Sequence, residues 1–258
     1  MGVVPGRSTG SLDRIPMPCA LCQQDGPLRN SHVIPEWVYE PLYDEKHRFH
    51  ILSADPTRPS WPEQKGLRER LLCDDCETKL SVWEGYARNL LSGDIGTTSK
   101  RSGDLVWVYG ADYAPFKLFQ LSILWRAGVS SLPIFSRVQL GPHQERLRAR
   151  LLAGSPGKPT EYGCALYALT TPEGIDRGLI VQPTLAKIDG VHAYHFVFGG
   201  LIWLYFVSSH APKRAASDAF IQCNGRFGLL VMESMGPMYV DQLIEKFHRA
   251  RAEAKDAG

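Results

Sequence analysis

Pro18-Cys-Ala-Leu-Cys-Gln-Gln-Asp-Gly26 and, far along the chain, Leu71-Leu-Cys-Asp-Asp-Cys76 are the two stretches whose reading decides the fold. Each holds a Cys-x-x-Cys pair, Cys19/Cys22 and Cys73/Cys76. Two residues between cysteines let both sulfurs of a pair bind one ion, and two such pairs supply a tetrahedral Zn²⁺ site. One ion shared by both pairs closes the long interval between them into a single module. A disulfide pair and two separate redox dithiols are the competing readings. Residues 1–18 carry arginines and prolines and no apolar run of signal-peptide length, so a cytoplasmic location is expected. Structural disulfides are disfavoured there. Structural Zn²⁺ held by Cys19, Cys22, Cys73 and Cys76 is therefore the expectation. Cys164 and Cys223 stand alone in apolar surroundings and read as buried small hydrophobes.

Within the interval the run Leu28-Arg-Asn-Ser-His-Val-Ile-Pro-Glu-Trp37 predicts a short strand over 29–34 that ends near Pro35. Gly26 is expected to supply the positive φ of the first knuckle's turn. Residues 41–66 read as a long loop in which His47 and His50 are solvated. From Glu77 onward Leu80, Trp83, Ala87 and Leu90 recur at three- and four-residue spacing, the apolar face of a helix. Trp37 and Trp83 read as core of the module. Knuckle, short β element and a second pair entering a helix is the order of a treble-clef zinc site.

After the Gly/Ser/Thr-rich break at 92–103 the character changes. A strand is expected at 105–109 and a helix at 114–127, apolar nearly all round and so buried, with Gly128 just past its end. A charged helix follows at 142–152. Strands are expected at 164–170, 178–188, 191–198, 201–208 and 219–233, then an amphipathic helix from 238 to 255. The stretch 191–209 is the one membrane candidate, but Gly199-Gly200 fits a hairpin turn, so two strands and no membrane span are expected. The organisation is α+β: a loose leader at 1–17, a zinc module at 18–91, and an α+β domain with a mainly antiparallel sheet at 104–258. The formal charge of +2 is nearly neutral and the first hundred residues are slightly acidic, which argues against a broad electrostatic footprint for nucleic acid. Lys65, Arg68, Arg70 and Lys79 nevertheless gather around the second knuckle.

The order Cys-x-x-Cys, then His32-Val-Ile-Pro35, then Leu71-Leu-Cys-x-x-Cys76 entering a helix resembles the four-cysteine HNH endonucleases, whose ββα-metal site is built on a treble-clef zinc scaffold. It is also similar to a bacterial group of uncharacterised HNH-like proteins with a Ser-His-hydrophobic-Ile-Pro signature. The resemblance covers 18–91. It implies that His32 is the general base taking a proton from the attacking water, and that one Mg²⁺ or Mn²⁺ stabilises the scissile phosphate. The family position after the last knuckle Cys, usually Asn or His, is Glu77, a carboxylate suited to a hard cation. Two positions depart from the pattern. Ser31 stands where an acid usually binds the metal, and Arg68 stands where a middle Asn is usual. Arg68 can bind phosphate bidentately but cannot accept the His32 ring N–H. Glu36, Asp74 and Asp75 are further carboxylates within the module.

Two functions follow as expectations. One is a metal-dependent endonuclease hydrolysing DNA or RNA through His32, with Glu77 and Arg68 at the site. The other is a non-catalytic zinc module that binds nucleic acid or a protein. In either case residues 104–258 are left for recognition, for homodimer formation or for a protein partner. His192 and His195 lie three apart on a predicted strand and face opposite sides, which makes no paired site.

Overall fold

The structure is a computed structural model that describes residues 17–51, 61–64, 66–172, 174–175, 177, 180–188, 190–208 and 217–232. The leader before Met17, Lys65, the side chain of His50 and the helix expected at 238–255 lie outside the described residues.

The first third is built on a pair of antiparallel strands, β1 (Arg29–His32) and β4 (Arg68–Leu72), that runs straight into helix α1 (Asp74–Ser92). Between them, inside the stretch read as loop, β2 (Phe49–Ile51) pairs with β3 (Trp61–Glu63), so that stretch carries a ribbon of its own. Cys76, Leu80, Trp83, Ala87 and Leu90 form the buried stripe of α1, which ends at Gly93 in the left-handed region. The first knuckle takes its positive φ at Gln23 (62°), not at Gly26. Gln23 N–H donates to the Cys19 carbonyl there, which closes the turn around the sulfur pair.

The break at 92–103 contains a strand that the sequence conceals. β5 (Thr98–Ser102) is exposed along its whole length, has no apolar alternation and pairs with β6 (Leu105–Tyr109) at the sheet edge. Helices α2 (Tyr113–Val129) and α3 (Pro142–Ala153) follow. Gly128 lies inside α2 instead of capping it. A Cβ there would stand 2.3 Å from Leu140 Cδ1, so the glycine leaves room for that side chain to pack. The chain then adds β7 (Cys164–Thr171), β8 (Gly174–Ile175), β9 (Val181–Ile188), β10 (Val191–Phe198), β11 (Leu201–Phe206) and β12 (Phe227–Met232). These form an eight-stranded sheet in the order β5-β6-β12-β7-β11-β10-β9, with β8 on β7. All pairs are antiparallel except β12 with β7. The Gly199-Gly200 turn joins β10 to β11 as a hairpin. Strand β12 starts later than expected, because residues 217–226 are turn and loop. No helix among the described residues is long and apolar enough to cross a membrane.

Helix α2 explains how the two parts hold together. Phe116 through Ala127 are all buried, so an apolar surface on every side is matched by partners on every side. Phe116 and Phe119 pack on Trp203 of the sheet, and α2 also lies against α1 and α3. One apolar cluster therefore runs from Cys19 and Leu80 through α2 to Trp203 and Phe227. Burial this complete strands the few polar residues of α2. Lys117 is fully buried and donates to the Tyr162 carbonyl at 2.7 Å. Loss of solvent brings its ammonium down to about 8.

Between pH 8 and the ordinary lysine range the unfolded chain keeps a proton on Lys117 that the folded chain has lost, so this residue's contribution to stability rises with pH. Urea unfolding at pH 7.5 and 9.5 should show wild type gaining on the order of 2 kcal/mol relative to Lys117→Met. An unchanged difference would place the ammonium in solvent.

Candidate metal centre and the His32 site

Four sulfur atoms meet where the first knuckle is laid against the start of α1. Ala20 N–H donates to the Leu71 carbonyl at 3.0 Å, and Cys73 N–H donates to Cys19 Sγ at 3.3 Å. These bonds hold one Cys-x-x-Cys against the other. The ligand atoms of Cys19, Cys22, Cys73 and Cys76 lie within 4.8 Å of one another. Cys22 Sγ and Cys73 Sγ are 3.7 Å apart, where a tetrahedron with metal–sulfur bonds of about 2.3 Å spaces its corners about 3.8 Å. The donor set thus fits a metal ion such as zinc. Among the described residues it is the one group of three or more His, Cys, Asp or Glu that does.

Electrostatics point the same way. Burial pushes the Cys19 thiol up, but hydrogen bonds from the backbone of Cys22, Cys73 and Leu21 outweigh it and bring the thiol down to about 7. Burial pushes the thiols of Cys73 and Cys76 up, and for Cys76 the neighbouring thiols and the charge at Cys19 add to it. Four thiolates are unfavourable here without a cation among them, so metal binding and ordering of the cluster are coupled. Arg148 of α3 donates to the Leu21 carbonyl at 2.6 Å, which pins the first knuckle from outside the module. The remaining cysteines divide: Cys164 is fully buried, whereas Cys223 is exposed, against the expectation, because it lies in the turn before β12.

β1 ends at His32, which pairs with Arg68 at the start of β4, the end of the ribbon away from the sulfur cluster. Strand alternation sends the neighbouring side chains of Ser31 and His32 to opposite faces of the β1–β4 pair. Ser31 is fully buried, and its Oγ donates to Glu77 Oε2 at 2.7 Å. His32, with 18% of its side chain exposed, sets Nε2 against Glu36 Oε2. Glu36 in turn accepts from Tyr43 Oη at 2.8 Å. Arg68 is the cross-strand partner of His32, so its side chain emerges on the same face. Gly66, at φ 70°, lets the backbone approach the ring, since a Cβ there would stand 3.0 Å from His32 Cδ2. The structure thus joins His32 to Glu36 with Arg68 beside it, and joins Glu77 to Ser31. Asp74 is paired instead with Arg29, and Asp75 is exposed. Of the other basic residues at the second knuckle, Arg70 is exposed and Lys79 donates to the Leu152 carbonyl.

Two residues important to this geometry carry weak sequence signals. Glu36 lies four positions after His32 beyond Pro35, a spacing that hints at a pair but does not require one. Arg126, on α2, lies 94 residues away and has no local signal at all. Its guanidinium is 1% exposed and donates to the His32 carbonyl at 2.7 Å and to Glu84 Oε1 at 2.5 Å. No family model matches the chain, and no curated protein and no solved structure matches it either.

The purified protein should retain one tightly bound metal ion per chain, and Cys73→Ser should release it and raise hydrogen exchange across β1, β4 and the start of α1. Unchanged exchange after complete metal removal would show that the sulfur cluster has no structural part.

Proposed function

We propose that this chain is an HNH-like phosphodiesterase whose sulfur cluster holds structural Zn²⁺ and whose general base is His32. The observation that carries the reading is the partially exposed His32 imidazole at the end of β1, held by the Glu36 carboxylate within an antiparallel pair that leads into α1. That order of elements, with the sulfur cluster at the strand–helix junction, supports the treble-clef ββα comparison.

Glu36 at Nε2 orients the His32 ring and stabilises the imidazolium formed when it takes a proton from water. The hydroxide attacks phosphorus, the ester P–O bond breaks, and solvent protonates the leaving oxygen. Arg68, on the same face, binds a non-bridging phosphate oxygen. Glu77, the carboxylate the resemblance offers to a hard divalent ion, is bonded to buried Ser31 on the face opposite His32 and Arg68. Mg²⁺ or Mn²⁺ bound with the phosphate would supply charge stabilisation there, with water completing its shell. DNA is the proposed substrate, with RNA as the other polymer of the same chemistry.

The second reading, a zinc module that binds nucleic acid or a protein without turnover, is favoured by one observation. Glu77 is bonded to Ser31 and not to the His32–Glu36 pair. Cleavage assays on supercoiled plasmid, single-stranded DNA and RNA, with zinc-loaded protein and added Mg²⁺ or Mn²⁺, separate the two. Divalent-dependent cleavage should fall by about 10²–10⁴-fold in His32→Ala, the range of a lost general base. No cleavage of any substrate by the folded, metal-loaded protein, or full cleavage by His32→Ala, would contradict the proposal.

A further inference from the structure

A cavity of about 170 Å³ opens between the turn that follows β1 and the C-terminal end of α1. Its wall includes Trp37, Glu40, Arg88, Ser92, Arg177 and the hairpin turn at Gly199. Trp37 is the residue after Glu36, so the cavity begins one residue from the group that holds His32. We infer that it is a subsite for one unpaired nucleotide of a nucleic-acid strand, the base against Trp37 and its phosphate between Arg88 and Arg177. The inference deepens the proposed function and rests on nucleic acid being the substrate.

Three observations carry it. The indole of Trp37 forms part of the cavity wall, an aromatic surface against which a base can stack. One edge of the ring faces Gly199, where even a Cβ would lie 3.8 Å from Cζ3, so the turn adds no side chain over the indole. Two guanidinium groups then flank an aromatic ring, the combination that tracks a phosphate backbone while a base stacks. Among the described residues Arg88 is held by long contacts of 3.2 and 3.3 Å to Glu40, and both side chains are 53% exposed. Arg177 makes one long contact among the described residues, 3.4 Å to the Leu91 carbonyl. Such exposed contacts are weak and yield to a phosphate.

Size sets the substrate class. Pockets for whole small molecules run to about 300–1,000 Å³, so this one takes part of a longer ligand. A base within a duplex shows only its edges, in the grooves, and cannot enter. The preferred substrate is therefore single-stranded, or a strand with a flipped or looped-out base. Among the described residues Glu40 is the one acid in the wall, and it opposes a phosphate while occupying Arg88.

The test is fluorescence anisotropy with the full, zinc-loaded chain, labelled dT12 and the dA12·dT12 duplex, in low salt without added Mg²⁺ or Mn²⁺. The single strand should bind more tightly than the duplex. Trp37→Ala should weaken it by about 5- to 150-fold, the worth of one stacked base. Because Trp37 is half-buried, the surface variants decide the matter if Trp37→Ala does not fold. Arg88→Glu with Arg177→Glu should weaken binding at least tenfold, and Glu40→Gln should tighten it, each with unchanged metal content and unfolding midpoint. Equal or tighter duplex binding, or surface variants that bind dT12 as wild type does, would overturn the subsite. Cleavage with unresponsive variants would leave the nuclease standing and remove the pocket; responsive variants without cleavage would do the reverse.

Discussion

Four sulfur atoms drawn from two distant segments into one small volume are the constraint on which the rest of this module depends. Neither knuckle has a core of its own. Cys19 is anchored by the backbone amide of Cys73, and Ala20 by the carbonyl of Leu71, so the first knuckle is positioned by the second. Once they are joined, β4 must end at the sulfur cluster where α1 begins, and β1 can pair along it with His32 facing Arg68 at the far end. The joined knuckles therefore act at a distance: they fix the end of β4 along which β1 pairs, with Ser31 toward Glu77 and His32 beside Glu36.

The remainder of the chain is not an appendage to that module. α2 is covered on all sides, and its arginine reaches out of a buried position to the carbonyl of the candidate base. A guanidinium at that depth is tolerable because Glu84 and the His32 carbonyl share its charge and its hydrogen bonds; removing one partner of such a pair typically costs about 3–5 kcal/mol. Arg148 does the same for the first knuckle from α3. Through these two arginines the larger part of the protein holds both the metal centre and the end of β1, while the proposed nucleotide subsite borrows its floor from the β10–β11 hairpin at Gly199.

The sequence disclosed what is local or periodic. Cys-x-x-Cys spacing, the stripe of α1, the unbroken apolar surface of α2 and the Gly199-Gly200 hairpin each declare themselves within a few residues. What escaped reading depends on contacts that spacing cannot express. β5 has no buried face, so Thr98-Ser-Lys-Arg-Ser reads as linker although β6 pairs with it along its length. Gly128 matches a helix terminator in sequence, and only the presence of Leu140 shows that it is a packing residue. Gln23 adopts the left-handed turn that Gly26 was better suited to supply, because its N–H must reach the Cys19 carbonyl. At the candidate site the meeting of the four cysteines was legible in their spacing; the pairing of His32 with Glu36, of Glu77 with Ser31, and the support from Arg126 required the fold.

X-ray absorption at the zinc edge of the purified, full-length protein tests the central claim most directly. Four sulfur neighbours at about 2.3 Å, with no nitrogen or oxygen in the first shell, are the predicted result. A sample without zinc whose cysteines are paired as disulfides, or a mixed sulfur and nitrogen shell, would contradict the four-thiolate centre.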